Sequence, residues 1–442
     1  MRYALLILTL PLNIFAATFS YSGDWRAEMA LYHDLDLSKS MHGTPSADYL
    51  DPTSPDFNPN ASNNTKTYWL QRFKIKPDLI IYDDVRIKTE WILLAGSALS
   101  STSMGGQTGN MVAGGIMSGD NINANLSVRR AWLDWSSDWG LFTFGRQPLN
   151  YGLGMTYNSG DGLWDYSGDS ADRIAYKLMM GNVWLGLAYD IRTEGAVNYY
   201  GDNKSSFETQ IGYTEPESNM EIGFMWHFDY GHSQERVHTY DAYQKKSFPE
   251  TGLTLAWEAA YRKGHERDYD ADGQLDQVQA FGLLFDFLYA PGASEFGLKT
   301  GFATGEDGTA DNKYHAFHFN RAYKIAMLLF NEDLGVGGDS VHGSPGIGSD
   351  FNDLGAIFFA PRFAYTFSEV LKVETVVAYA LTQRKPATGR QKSLGTEFDL
   401  NATYSWKDNL ETGLRFGWFF PGKYFPGKAT GMGLMTTVAL KF

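Results

Sequence analysis

The strongest constraint on this chain is a period of two, repeated along almost its whole length in runs of about ten residues separated by turns. In residues 18–35, Phe19, Tyr21, Trp25, Ala27, Met29 and Leu31 fall on one side, and Ser20, Ser22, Asp24, Arg26 and Glu28 on the other. Successive side chains of an extended strand point to opposite faces, so this spacing makes one apolar and one polar face. The same sorting sets Phe73, Ile75, Leu79 and Ile81 against Arg72, Lys74, Lys76 and Asp78. Near the end it sets Leu410, Leu414, Phe416 and Trp418 against Glu411 and Arg415.

Soluble β-sandwiches and propellers alternate too, but two features favour a membrane barrel. Strand after strand carries charge on its polar face, while the apolar face is aromatic at its ends, as in the girdles of a barrel set in lipid. The chain has 26 Tyr, 29 Phe and 12 Trp to build such girdles. The second feature is the final stretch GLMTTVALKF, which alternates Met432, Leu434, Thr436, Val438 and Leu440 and ends in Phe442. It resembles the insertion signal of bacterial outer-membrane barrels, which implies the barrel-assembly machinery as a partner. Arg2 followed by the apolar run 3–17, with Ala16 and Ala17 at its end, reads as a secretory signal. No later run of 18 uncharged apolar residues offers a spanning helix. The chain has no cysteine, so an exported form has no disulfide framework. A net charge of −14 argues against nucleic acid as a partner. The expectation is all-β: a single transmembrane antiparallel barrel over 18–442, in the outer membrane of a Gram-negative bacterium, among its lipids and lipopolysaccharide.

Seventeen strands are clear by eye, but a bacterial single-chain barrel needs an even number. Without one more strand near 234–245, the long loops after residue 231 fall on the side of the short turns; adding it gives eighteen. The longest connection, 305–354, then lies on the outer side. Within it, 315–335 is too apolar to lie free in water, so it folds inward as a plug or caps the mouth. The same topology places RDYDADGQLDQ (267–277) between strands 11 and 12, also outside. Asp268, Asp270, Asp272, Gly273 and Asp276 occupy positions 1, 3, 5, 6 and 9 of a calcium loop. Position 12 is Gln279 rather than a bidentate Glu, and no helices flank the loop. A structural Ca²⁺ held there would stiffen a loop rather than throw a switch. No cofactor is required.

Charges on the polar face of a barrel line its lumen. Strands two to six are rich in bases: Arg72, Lys74, Lys76, Arg86, Lys88, Arg130, Arg173 and Lys177. Later strands carry more acids, among them Glu208, Glu258, Glu374, Glu397, Asp399 and Glu411, with Arg415 a remaining base. Walls of unlike sign set up a field across the lumen that favours hydrated, dipolar solutes. His342 and Ser344 are two apart but lie in a Gly/Ser stretch with no strand to fix their geometry, so no catalytic constellation emerges.

The run Phe144-Gly145-Arg146-Gln147, then Tyr151-Gly152, then Asp172-Arg173 resembles the alginate-export-like outer-membrane barrels, over about residues 126–178. That resemblance implies an arginine-rich path for an anionic uronate polymer and nominates Arg130, Arg146, Arg173 and Lys177. Alternation with Phe142 and Phe144 puts Arg146 on the lipid side unless a bulge near Gly145 re-aims it. Together these readings predict a channel for passive diffusion of small hydrophilic or anionic solutes. The alternatives are an export channel for an anionic polysaccharide and a surface-binding barrel with a closed pore.

Overall fold

The computed structural model describes residues 17–33, 65–93, 126–165, 168–193, 204–231, 235–266, 275–306, 312–320, 322–329, 354–386, 391–407, 409–425 and 430–442. Residues 1–16 of the leader and residues 267–274 lie outside these, and Asp268, Asp270 and Asp272 with them.

The period-two runs become long strands. The first nine are β1 (Thr18–His33), β2 (Thr65–Tyr82), β3 (Val85–Leu93), β4 (Leu126–Ser137), β5 (Gly140–Pro148), β6 (Ser170–Met180), β7 (Val183–Thr193), β8 (Lys204–Glu215) and β9 (Met220–Tyr230). There follow β10 (Arg236–Phe248), β11 (Leu253–His265), β12 (Gln277–Tyr289), β13 (Ser294–Ala303) and the two-residue β14 (Lys313–Tyr314). The last are β15 (Ala356–Ser368), β16 (Leu371–Thr382), β17 (Ser393–Trp406), β18 (Leu410–Pro421) and β19 (Gly431–Lys441). Apart from β14, which adds to β12 in parallel, each strand pairs antiparallel with its neighbours, and β1 pairs with β19. The result is a closed, antiparallel barrel of eighteen strands, and β10 is the strand that even parity required. Closure leaves no edge with unpaired backbone groups.

At the seam, Gly23 and Phe442 exchange backbone hydrogen bonds at 2.9 and 3.1 Å, and the Phe442 ring stacks on Phe73 at 5.5 Å. A Cβ at residue 23 would run into that ring and the Lys74 carbonyl, so glycine is needed there. Connections of two to four residues, such as 83–84 and 216–219, gather at one end of the barrel; the long ones leave the other.

Alternation sorts the wall. On β17, Phe398, Leu400, Tyr404 and Trp406 point outward and remain exposed, whereas Glu397 and Asp399 point inward and are buried. Outward exposure of Leu, Phe, Tyr and Trp continues around the circumference. Among the register shifts, the one between β3 and β4 bears on the lumen. Glu90 pairs with Arg130 but the next residue, Trp91, pairs with Val128, so Arg129 is the extra residue. Arg129 and Arg130 therefore both turn inward and are buried.

Candidate functional site

Two stretches of chain leave the wall and occupy the lumen. The first, residues 149–169, joins β5 to β6 and is rich in Gly, Asn and Asp. Backbone brought inside a barrel must find partners for its carbonyls and N–H groups. Here arginines take the carbonyls. Arg26 on β1 donates to the carbonyls of Leu163 (2.5 Å) and Asp165 (3.1 Å), and Arg72 on β2 to the same two at 3.2 and 2.9 Å. Arg129 reaches the carbonyls of Ser159 (3.3 Å) and Gly168 (3.2 Å), and Arg130 those of Ser159 and Asp169. A guanidinium has five N–H donors, so each can bind the segment and still pair with an acid. Arg72 pairs with Asp24 at 3.0 Å, Arg26 with Glu28 at 3.1 Å, and Arg129 and Arg130 with Glu90 at 3.0 and 3.3 Å. From the opposite wall Glu258 on β11 accepts from the N–H groups of Met155 (3.4 Å) and Thr156 (3.3 Å), and from Leu153. The segment thus crosses the lumen between a basic and an acidic anchor.

Its far tip carries Trp164. The guanidinium of Arg26 lies 6.0 Å from the indole centroid and that of Arg415, on β18, 5.3 Å; the indole N–H donates to Glu411 at 3.0 Å. Asp161 lies nearby, paired with Arg130 at 2.9 Å and Lys76 at 3.3 Å. Burial alone would raise its pKa, but those two cations outweigh burial and hold the carboxyl down at about 2.

The second stretch, 312–329, descends from the long connection after β13. Ala316, Phe317, Leu328 and Leu329 are buried in a cluster with Met155, Phe358, Phe419 and Phe425. Gly282 on the wall leaves room for the Phe317 ring, where any Cβ would collide. Its end is caught by the acids of β17: Leu328 and Leu329 donate their N–H groups to Glu397 at 2.7 and 2.5 Å, and Met327 to Asp399 at 3.0 Å. The two stretches touch. Asn320 donates its backbone N–H to Met155 O at 2.8 Å and its amide to Asp169 at 2.5 Å, and Lys324 reaches the Trp164 carbonyl at 3.1 Å. Toward the short-turn end, a cavity of about 450 Å³ remains between them and β16–β18.

The residues nominated from the sequence divide accordingly. Arg72 and Arg130 meet the first stretch, and Glu397 and Asp399 the second. Lys74 is buried against Asp24 at 3.0 Å, and Lys88 pairs with Asp134 at 2.9 Å; Arg86 shares their inward face near the short turns but stays exposed. Lys177 packs over Trp184 at 4.5 Å. Arg173 binds Asp190 (2.6 Å) and Glu208 (3.0 Å), and Glu208 meets His227 at 3.1 Å. Asp190, Glu208 and His227 could together face a metal ion, their ligand atoms lying within 4.8 Å of one another, but Arg173 already supplies positive charge there. Asp276 is buried, and its carbonyl accepts from Glu266 N–H at 3.1 Å at the base of its hairpin.

Arg146 is a correction. It points outward, half exposed, in a two-pronged pair with Asp172 at 3.0 Å. Gly145 has φ +118, yet Trp132↔Gly145 and Ala131↔Arg146 follow in unbroken register, so no bulge re-aims it. Strict alternation concealed Arg129, because only the bulge turns it inward. Trp164 and Asn320 gave no signal, lying in stretches without periodicity.

The fold has close counterparts among solved barrels. OpdL of Pseudomonas aeruginosa superposes with a TM-score of 0.57 over 96% of this chain and 98% of that one, at 11% identity. A BenF-like porin from Pseudomonas fluorescens Pf-5 gives 0.57 over 96% and 98%, at 10% identity. The outer membrane protein OpdK of P. aeruginosa gives 0.54 over 96% and 99%, at 12% identity. No protein-family model matches the sequence, and comparison with curated proteins found no relative.

Proposed function

We propose that this chain is an outer-membrane channel through which small hydrophilic solutes diffuse passively, narrowed at mid-height by two inward segments. The observation that carries this reading is the division of the wall: an apolar, aromatic outer face suited to lipid encloses a lumen lined with charge. The barrels it resembles include a porin, and eighteen strands give a lumen wide enough to hold both segments and still leave space. The leader at 1–17 would deliver the chain for export, and the closing strand with Phe442 is the element offered to the assembly machinery. The long connections would face lipopolysaccharide, and Ca²⁺ in the 268–276 loop would screen its carboxylates there.

A second reading is export of an anionic, alginate-type polysaccharide. It is favoured by the concentration of Arg26, Arg72, Lys74, Arg129 and Arg130 on one side of the lumen.

Reconstitution into planar bilayers tests both. Stable ohmic steps are expected. Block by uronate oligomers at lower concentration than by neutral sugars of equal size would favour the polysaccharide. Absence of conductance, even after removal of 312–329, would overturn the channel.

A further inference from the structure

The outer face of β10 and β11 changes character toward the end that carries the long connections. Tyr240 and Tyr261 lie directly opposite each other there, with Trp226 of β9 beside Tyr240, in a row that points away from the lumen. Such rings sit at the headgroup level of a membrane barrel. The next two rows are basic: His238 lies opposite Lys263, and Arg236 opposite His265. Val237 and Thr239 are buried on the inner face, so Arg236 and His238 turn outward, and Lys263 and His265 follow the outward Tyr261. Arg236, Lys263 and His265 are exposed, and among the described residues none of the three makes a side-chain hydrogen bond or ion pair. The acids nearby are engaged elsewhere. Glu235 pairs with Lys204 at 3.8 Å, Glu266 with Arg262 at 3.2 Å and Lys204 at 3.9 Å, and Asp229 with His227 at 3.3 Å; Asp276 is buried. His238 is fixed in place, because Trp226 donates its indole N–H to Nδ1 at 3.2 Å and Phe228 stacks on the ring at 4.5 Å. With Nδ1 accepting, Nε2 is left as an N–H donor.

Unpaired cations gathered on one patch of sheet repel each other, and an anion held between them turns that repulsion into attraction. A guanidinium offers phosphate two parallel N–H bonds, and an ammonium adds a point charge. We infer that Arg236, His238, Lys263 and His265 bind a phosphate of lipopolysaccharide, whose acyl chains lie against the aromatic row below. The four positions form a square on the sheet. Its diagonals are about 7–8 Å, within reach of long side chains, so both cations can close on one group. Position decides the source of the phosphate: the patch faces away from the lumen, directly above rings at the membrane interface, where a headgroup lies and a permeating solute does not. Outward charge on β5 and β6 shows the contrast, since Arg146 there carries its own partner in Asp172. The inference rests on the outer-membrane reading and names the place where the lipid is held.

The test is lipid binding by the full barrel in nonionic detergent, titrated by native mass spectrometry. EDTA is present, so no divalent ion bridges lipid and loop. The probes are diphosphoryl lipid A and the same lipid with its phosphates removed. Diphosphoryl lipid A should bind at roughly tenfold lower concentration, as one charge-assisted contact predicts. Arg236→Gln with Lys263→Gln should raise its value to that of the dephosphorylated lipid. Binding of the dephosphorylated lipid should not change, which shows that the variant is folded. Lys246→Gln, which removes an outward cation at the short-turn end of β10, should alter neither value. Inorganic phosphate in large excess should not displace the lipid. Should the double variant lose both lipids, Arg236→Gln alone decides, and an unchanged preference there overturns the site. Equal binding of the two lipids, a preference that survives the double variant, an equal loss in Lys246→Gln, or displacement by inorganic phosphate would also overturn it while the channel stands. A barrel that shows the expected lipid preference but passes no current would overturn the channel reading and leave the site.

Discussion

The described residues of 149–169 and of 312–329 both fill the lumen, yet the first stretch is rich in Gly, Asn and Asp and the second in Leu, Phe and Ala. Their anchors differ in the same way. The polar stretch is gripped by its carbonyls, through four arginines on β1, β2 and β4, with Glu258 opposite. The apolar stretch is held by burial, with carboxylates of β17 capping its N–H groups. The wall facing each is built to suit. Where the first stretch lies, inward positions are long bases and their acids; where the second lies, they are small, as Ala280, Ala303, Ala360, Ala378 and Ala380, so apolar side chains fit between strand and segment. A lumen can thus be narrowed either by charge supplied from the wall or by apolar residues supplied from the loop.

If the anchors are independent, breaking one should loosen one segment and spare the other. The chain has no cysteine, so single reporters at Leu163→Cys and Ala326→Cys can read each segment by its rate of thiol labelling. The largest effect is expected from Arg129→Ala with Arg130→Ala. Among the described residues Glu90 would then keep only Lys76, at 3.7 Å. Stripping a buried charge of its partners costs roughly 3–5 kcal/mol. A lower Tm, faster labelling at 163 and higher conductance should follow, with labelling at 326 little changed. Glu397→Ala comes next, leaving the N–H groups of Leu328 and Leu329 unpaired at about 1–3 kcal/mol each. It should speed labelling at 326 and spare 163. Equal acceleration at both sites by either variant would mean that the contacts of Asn320 and Lys324 fuse the segments into one body, and the comparison would fail.

Trp164 sharpens the contrast at smaller scale. Trp164→Leu removes two cation–π contacts, about 0.5–2 kcal/mol each. Trp164→Phe keeps a ring but loses the hydrogen bond to Glu411. Faster labelling at 163 in Leu but not Phe would assign the hold to the arginines; equal acceleration in both would assign it to Glu411.

The same contrast explains what could be read from the sequence. Period two with even parity gave the eighteen strands, because each strand's register is imposed by which face meets lipid. The second segment announced itself: an apolar run such as 322–329 cannot rest in water, so an inward fold was one of two outcomes. The first segment looked like an ordinary turn-rich loop, since its anchors are side chains from β1, β2, β4 and β11, up to 139 residues away. Arg129 is hidden by one inserted residue in β4, and Arg146 stays on the outer face that alternation gives it, because no bulge near Gly145 re-aims it. Glu397 and Asp399 were visible as acids of the lumen wall, but their service to backbone N–H groups depends on a partner far along the chain.

The smallest effect concerns Asp161, which ties the polar segment to Arg130 and Lys76 and has no counterpart on the apolar one. Its carboxyl titrates near 2 in the folded protein, below the ordinary 3.8, so the ionised form is favoured by folding. The stabilisation it gives is therefore complete above about pH 4 and is lost as the pH falls from there through about 2. Its side chain is 42% exposed, so water screens the tie and the gain is slight. Labelling at such pH is slow, so the readout is conductance: wild type should gain current or open-state noise on descending from pH 4 to 2. Asp161→Asn should show that behaviour already at pH 7 and lose the acid-dependent step. Adding salt at pH 7 should move wild type in the same direction, because an exposed pair is weakened by counterions. Should Asp161→Asn retain the full step, the titrating group lies elsewhere on the lumen wall and Arg130 holds the segment through its carbonyls alone.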